Sequence, residues 1–249
     1  MERTRRQERE RAYWNEHSQA EEYARWREFP FESWRTFRPI QRRALDYLGP
    51  IAGRHLLVCG VGPDAVLFAR AGAEVWGFDI SEEQVAAVQD LVDRFGLSDK
   101  VHLQAMPFEA MDYPSSSFDA AFGDAILHHI DLSAGGVELA RVLRSGARAS
   151  FIEPLGTNPL LGFARRHVPY GGKGRTEDER PLNYHNVRSF SRPFASSAYH
   201  EYALLGMARR ITRRRSLIRS LEAVDEVLLE HARWMRPLCQ SIWIGVEAA

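Results

Sequence analysis

Between residues 55 and 153 short apolar runs alternate with helix-like stretches, and this alternation limits the possible folds more than any other feature of the sequence. Runs at 55–59, 74–79, 101–105, 118–124 and 147–153 read as strands. They are mostly apolar along their length, the pattern of strands covered on both faces. Between them, 64–71, 81–95 and 136–143 read as helices. Gly72 and Gly96 stand just past the first two, where a left-handed C-terminal residue falls. Ser81-Glu82-Glu83-Gln84 is a capping box that opens the second. Such alternation predicts a parallel sheet with helices on both faces. Further strand-like runs at 199–207 and 239–246 bring the expected sheet to seven strands, mostly parallel. They flank a helix expected at 217–234, on which Leu217, Leu221, Val224, Leu228 and Ala232 share a face.

The flanks differ. Residues 1–28 are charged but carry Tyr13, Trp14, Tyr23 and Trp26, and the spacing over 12–26 predicts a helix with one apolar stripe. A second helix is expected at 31–49, ended by Pro50 and Gly53; Trp26 and Trp34 read as ordinary helix packing. Residues 1–50 are thus expected as a helical cap. Residues 154–198 are rich in Pro, Gly, Arg and Asn and show no clean periodicity, which predicts a lid-like insertion. The whole of 1–249 is expected to form one domain.

Charge and composition exclude several classes. Thirty-three basic and thirty-three acidic residues balance, which argues against a nucleic-acid partner. Cys59 and Cys239 are far apart and fit no metal-ligand spacing, so no metal site is expected and a reducing, cytoplasmic location is. No stretch reaches eighteen apolar residues, and no apolar segment follows the charged start, so neither a membrane span nor a signal peptide is predicted. The run Arg209-Arg210-Ile211-Thr212-Arg213-Arg214-Arg215 reads as a solvated face. The aromatic N-terminus makes a homodimer an expectation.

Chemistry enters at Val58-Cys59-Gly60-Val61-Gly62-Pro63-Asp64, which joins the first strand to a helix. Glycines let the backbone approach a ligand, and a helix N-terminus offers free N–H groups. Asp79 closes the second strand nineteen residues after Gly60, where a carboxylate accepts both hydroxyl hydrogens of a ribose. Together these specify an adenosine-type cofactor. The same glycines, with Ala65, also satisfy a nicotinamide-dinucleotide fingerprint. That rival needs a hydride-transfer site such as Tyr-x-x-x-Lys. The only lysines, Lys100 and Lys173, are not so placed.

Four blocks, in order, resemble the class I S-adenosylmethionine (SAM)-dependent methyltransferases: the glycine loop; Phe78-Asp79-Ile80-Ser81; the stretch from Phe118 to Ile130 with Asp124, His128 and His129; and Arg141-Val142-Leu143 leading into the fifth strand. The blocks that begin at Glu153 and at Arg175 are similar to one bacterial branch acting on small molecules. The resemblance implies a Rossmann-like fold and SAM as cofactor, leaving S-adenosylhomocysteine (SAH). It implies that Gly60 and Gly62 line the methionine end, that Asp79 holds the ribose and that Ile80 packs on adenine. By the same resemblance Met106 and Phe108 flank the adenine, and Asp124 lies near the methionyl amine or the methyl. Tyr13 and Tyr23, with Trp14, are expected to cover the cofactor. The sequence departs from the family at Val58, where an acid is usual, at Asp64 in place of a third glycine, and at Gln104-Ala105-Met106-Pro107, which lacks the usual acid. Asp64 or Asp124 is therefore the candidate partner for the SAM amine, the alternative for Asp64 being that it only caps the helix start. A non-catalytic protein of the same fold remains an alternative.

Methyl transfer needs chiefly alignment, and a hydroxyl acceptor gains from a base. His129 is the first candidate for that base, then His128; adjacent residues point apart, so one of the two is expected to face the acceptor. His185, in the insertion, is a third. The expected activity is methylation of a small molecule, with oxygen the favoured acceptor atom.

Overall fold

The computed structural model describes residues 2–24, 38–167, 180–212 and 214–249. Its centre is a seven-stranded sheet. The strands are β1 (His55–Cys59), β2 (Glu74–Asp79), β3 (Val101–Ala105), β4 (Phe118–Asp124), β5 (Leu143–Pro154), β6 (Ser196–Tyr202) and β7 (Ser241–Glu247). Their order in space is β3-β2-β1-β4-β5-β7-β6, and only β7 runs against its neighbours.

Helices cover both faces because the strands are apolar on both. Leu56 and Val58 of β1 point into a core with Ile40, Ala44 and Leu48 of α3 (Pro39–Leu48), Val66 and Phe68 of α4 (Asp64–Arg70), and Val88 and Leu91 of α5 (Glu82–Arg94). Leu57 and Cys59, one residue out of step, point into the opposite core with Leu139 and Val142 of α6 (Leu132–Val142), and with Phe151 and Ile244. That period of two is the pleat of the strand. Each large apolar side chain so buried is worth about 1.5–3 kcal/mol.

Before the sheet lie α1 (Glu2–Glu16) and α2 (Ala20–Ala24); after β5 come α7 (Pro159–His167) and α8 (Tyr184–Ser191), and α9 (Arg215–His231) precedes β7. Three expectations need correction. The stripe over 12–26 is not one helix: α1 starts earlier and ends at Glu16, and α2 is a separate turn. The second expected helix is α3, which starts at Pro39, a residue suited to a helical first turn; Trp26, Trp34 and the rest of 25–37 lie outside the described residues. The insertion is not without structure where it is described. Asn183 caps α8 in a reciprocal box with Asn186, a signal that the surrounding Pro and Gly obscure.

On α9 the inward face is not the apolar one. Glu222, Asp225 and Leu229 are buried, whereas Leu217 and Val224 are exposed. Asp225 earns its burial by accepting the backbone N–H groups of Leu205 and Gly206 at 2.7 and 2.9 Å. Arg209, from the basic run, lies 3.9 Å from Glu222. Among the described residues no helix is long and apolar enough to cross a membrane.

Candidate active site

In an open parallel sheet the ligand crevice lies where the strand order reverses, at the C-terminal ends of the strands. Here that point is the β1–β4 pair, with Cys59 opposite Gly123. A cavity of about 380 Å³ opens there. It is lined by the turn after β1, the ends of β2 and β4, the loop after β3, and α1 and α2.

The turn after β1 is built for close approach. Gly60 has φ +75° and its N–H donates to Phe78 O at 2.9 Å. A Cβ on Gly60 would stand 3.1 Å from Ile126 Cδ1. Gly62, Asp64, Asp79, Ile80, Met106, Phe108 and Asp124 all line the cavity, as does Tyr23. Asp64 is the first residue of α4 and is buried. Asp79 accepts the N–H of Ser81 at 2.9 Å. Burial pushes its carboxyl up to about 7, against the backbone N–H groups of Ser81, Ile80 and Val61 that favour the charged form. The lining carries Glu10, Glu22, Asp64, Asp79, Glu109 and Asp124, and no Lys or Arg among the described residues. Such a wall suits a cationic ligand. The residues present therefore fit SAM, whose sulfonium is positive.

The first helices form the outer wall, and polar contacts hold them there. Arg6 and Gln7 both bond Glu109, Gln7 at 2.9 Å. Arg11 reaches Ile80 O at 3.3 Å. Asn15 accepts from Ser81 Oγ at 2.7 Å, and the Gln19 N–H donates to Gln84 Oε1 at 3.0 Å. Gln84 in turn donates to Val61 O at 3.0 Å, which ties this wall to the glycine turn. Tyr13, by contrast, does not line the cavity. It stacks on His17 with ring centroids 4.2 Å apart.

Of the three histidines, His129 alone lines the cavity. Its Nδ1 lies 3.1 Å from Glu10 Oε2, and the two side chains are 8% and 3% exposed. The distance is that of an ion pair, although the ring is not aligned for a hydrogen bond. The same Glu10 oxygen accepts Trp14 Nε1–H at 3.1 Å, and Trp14 meets the His129 ring edge-on. His128 does not line the cavity. Its Nδ1 is 2.7 Å from Glu153 Oε2, while Glu153 Oε1 accepts the N–H groups of Ile126 and Leu127 at 2.9 and 2.7 Å. This buried carboxylate holds a turn that starts at Ala125 with φ +58°, a conformation that costs a residue with a Cβ. His185 is exposed in the first turn of α8, outside the cavity. Gln7, Glu10 and Glu109 were not singled out in the sequence, and Gln84 and Glu153 were named there only in a capping box and at the head of a family block. A weak signal exists for two: Gln7, Glu10 and Trp14 fall on one face of α1.

Comparison with known proteins agrees with this geometry. Residues 57–151 match a family model described as a methyltransferase domain. The chain is 35% identical over 136 residues to the nocamycin O-methyltransferase of Saccharothrix syringae, a match covering 51% of this chain and 48% of that one. It is 29% identical over 133 residues to the S-adenosyl-L-methionine-dependent Diels-Alderase iccD of Talaromyces variabilis, covering 51% and 45% respectively. These matches span about half the length of each relative. In fold it resembles geranyl diphosphate C-methyltransferase from Streptomyces coelicolor A3(2), solved with Mg2+, geranyl diphosphate and SAH: TM-score 0.59, 14% identity, 84% of this chain and 78% of that one. A glycine turn after β1, an acid at the end of β2 and an antiparallel β7 between β5 and β6 accompany these matches, and residues 57–151 are similar to the methyltransferase domains of SAM-dependent enzymes.

Proposed function

We propose that the protein methylates a hydroxyl group of a small molecule, using SAM. The observation that carries this reading is the convergence of the glycine turn, Asp79 and His129 on one cavity at the switch point of the sheet. Gly60 and Gly62 hold the methionine end, Asp79 accepts both ribose hydroxyls, and Ile80, Met106 and Phe108 enclose the adenine. When bound, SAM supplies a methyl group already activated by its sulfonium. The chain's own work is to align the two partners, to exclude water with α1 and α2, and to receive the acceptor proton. Orientation of this kind is worth roughly 7–11 kcal/mol. His129 is the base on this reading, because it is the histidine that lines the cavity. The O-methyltransferase among the relatives supports oxygen as the acceptor atom.

Calorimetric titration with SAH, and NADH in parallel, tests the cofactor; an acceptor screen that counts SAH formed then tests the reaction. His129→Ala should lower kcat by about 10²–10⁴-fold and leave SAH affinity unchanged. NADH binding without SAH binding would overturn the reading. The relative named as a Diels-Alderase favours a second one, a SAM site used without methyl transfer. Product formed without stoichiometric SAH would select it.

A further inference from the structure

The base and its orienting carboxylate come from segments far apart in the chain. His129 sits on the turn after β4, whose shape Glu153 fixes from the core side. Glu10 sits on α1, which docks at the site through contacts that include those of Arg6, Gln7, Arg11 and Asn15. An imidazole serves as a base through one nitrogen when the other holds the proton, and a carboxylate beside a ring nitrogen fixes the proton there. Glu10 stands at His129 Nδ1, 3.1 Å away, and both side chains are nearly sealed from water. Its oxygen is itself fixed by Trp14 Nε1–H at 3.1 Å. His128, whose ring centroid is 4.1 Å from that of His129, cannot take this part, since its own Nδ1 is 2.7 Å from Glu153. Both histidines thus follow one rule: each Nδ1 faces a carboxylate, one from the core and one from the N-terminal helix.

We propose that Glu10 is a positioning residue that keeps the proton of His129 on Nδ1, leaving Nε2 free as the base, so that the base is competent only while α1 is docked. The proposal rests on His129 being the base for an acceptor hydroxyl, as above. On proton uptake from the acceptor, Nε2–H forms, the ring becomes cationic and Glu10 faces the new charge; no other group is consumed.

Long-range 15N correlation spectra of the 249-residue protein, labelled at histidine and saturated with SAH, test this directly. His129 is expected as the Nδ1–H tautomer, and as the Nε2–H tautomer, which free side chains prefer, in Glu10→Ala. With an acceptor in hand, Glu10→Ala should lower kcat on the order of 10²-fold, the low end of what a positioned base supplies and a larger effect than its effect on KM for SAM. Glu10→Asp should restore part of it. A merely structural role of Glu10 in holding α1 would instead raise KM for SAM and leave the tautomer alone. An Nε2–H tautomer in the unaltered protein, or Nδ1–H retained in Glu10→Ala, overturns the proposal. The two ideas fail separately: a tautomer that shifts as expected in a protein that methylates no hydroxyl supports the placement of Glu10 and overturns the reaction.

Discussion

Asp79 makes cofactor binding depend on pH in a direction that its surroundings dictate. On the proposed reading two ribose hydroxyls donate to this carboxyl, so the bound form requires the carboxylate. Burial pushes the carboxyl up to about 7, from 3.8 for an unperturbed side chain. Near pH 5 about 1% of it remains ionised, so the dissociation constant of SAH should rise about 100-fold relative to its plateau above pH 8, or ~2.7 kcal/mol. Asp79 is half-buried, with its open side on the cavity, so this figure is an upper bound. Stability of the free protein runs the opposite way. Between the unfolded and folded values the folded state keeps a proton that the unfolded chain has lost. The contribution of Asp79 is therefore full below about 4 and lost as pH rises through about 7. Calorimetry with SAH between pH 5 and 8.5, paired with thermal melts with and without SAH, reads both effects. The melting shift caused by SAH should grow as pH rises. Asp79→Asn should bind weakly and with no pH dependence over this range. An SAH affinity that stays flat with pH in the unaltered protein, or full affinity in Asp79→Asn, would refute the reasoning.

Other perturbations follow from single contacts. Glu153→Ala strips the acceptor from two backbone N–H groups and from His128, and should cost about 3–5 kcal/mol in denaturant unfolding, whereas Glu153→Gln keeps a carbonyl for the backbone and should cost less than half as much. Gly136→Ala would place a Cβ 2.4 Å from the backbone oxygen of Phe190, so α6 and α8 must part; a loss of about 1–3 kcal/mol should show as a lowered midpoint with an unchanged slope. Gly60→Ala puts a Cβ on a residue at φ +75° and against Ile126, and should cost more free energy in SAH binding by calorimetry than in denaturant unfolding. His185→Ala, at an exposed position, should leave kcat, KM and stability within about 0.5 kcal/mol of the unaltered protein.

The sheet and its cofactor edge were legible in the sequence for a physical reason. Strands covered on both faces must be apolar, and the turn at Gly60, the cap at Ser81 and the acid at Asp79 are local features that chain order alone places at one edge. What stayed hidden was every partner set by tertiary contact. Glu10 and Glu109 look like two more charges in a chain with thirty-three acidic residues, and only docking of α1 brings them to one wall. Glu153 reads as the end of a strand, yet it is buried at 1% exposure because three donors converge on it. The pair His128-His129 shows the limit most clearly. Adjacent in sequence and alike in chemistry, they meet different carboxylates, and those carboxylates come from residues 153 and 10. A selective test follows from that division of labour. Removing the core carboxylate should unfold the turn that carries both rings. Removing the one on α1 should leave the fold intact and disarm a single histidine.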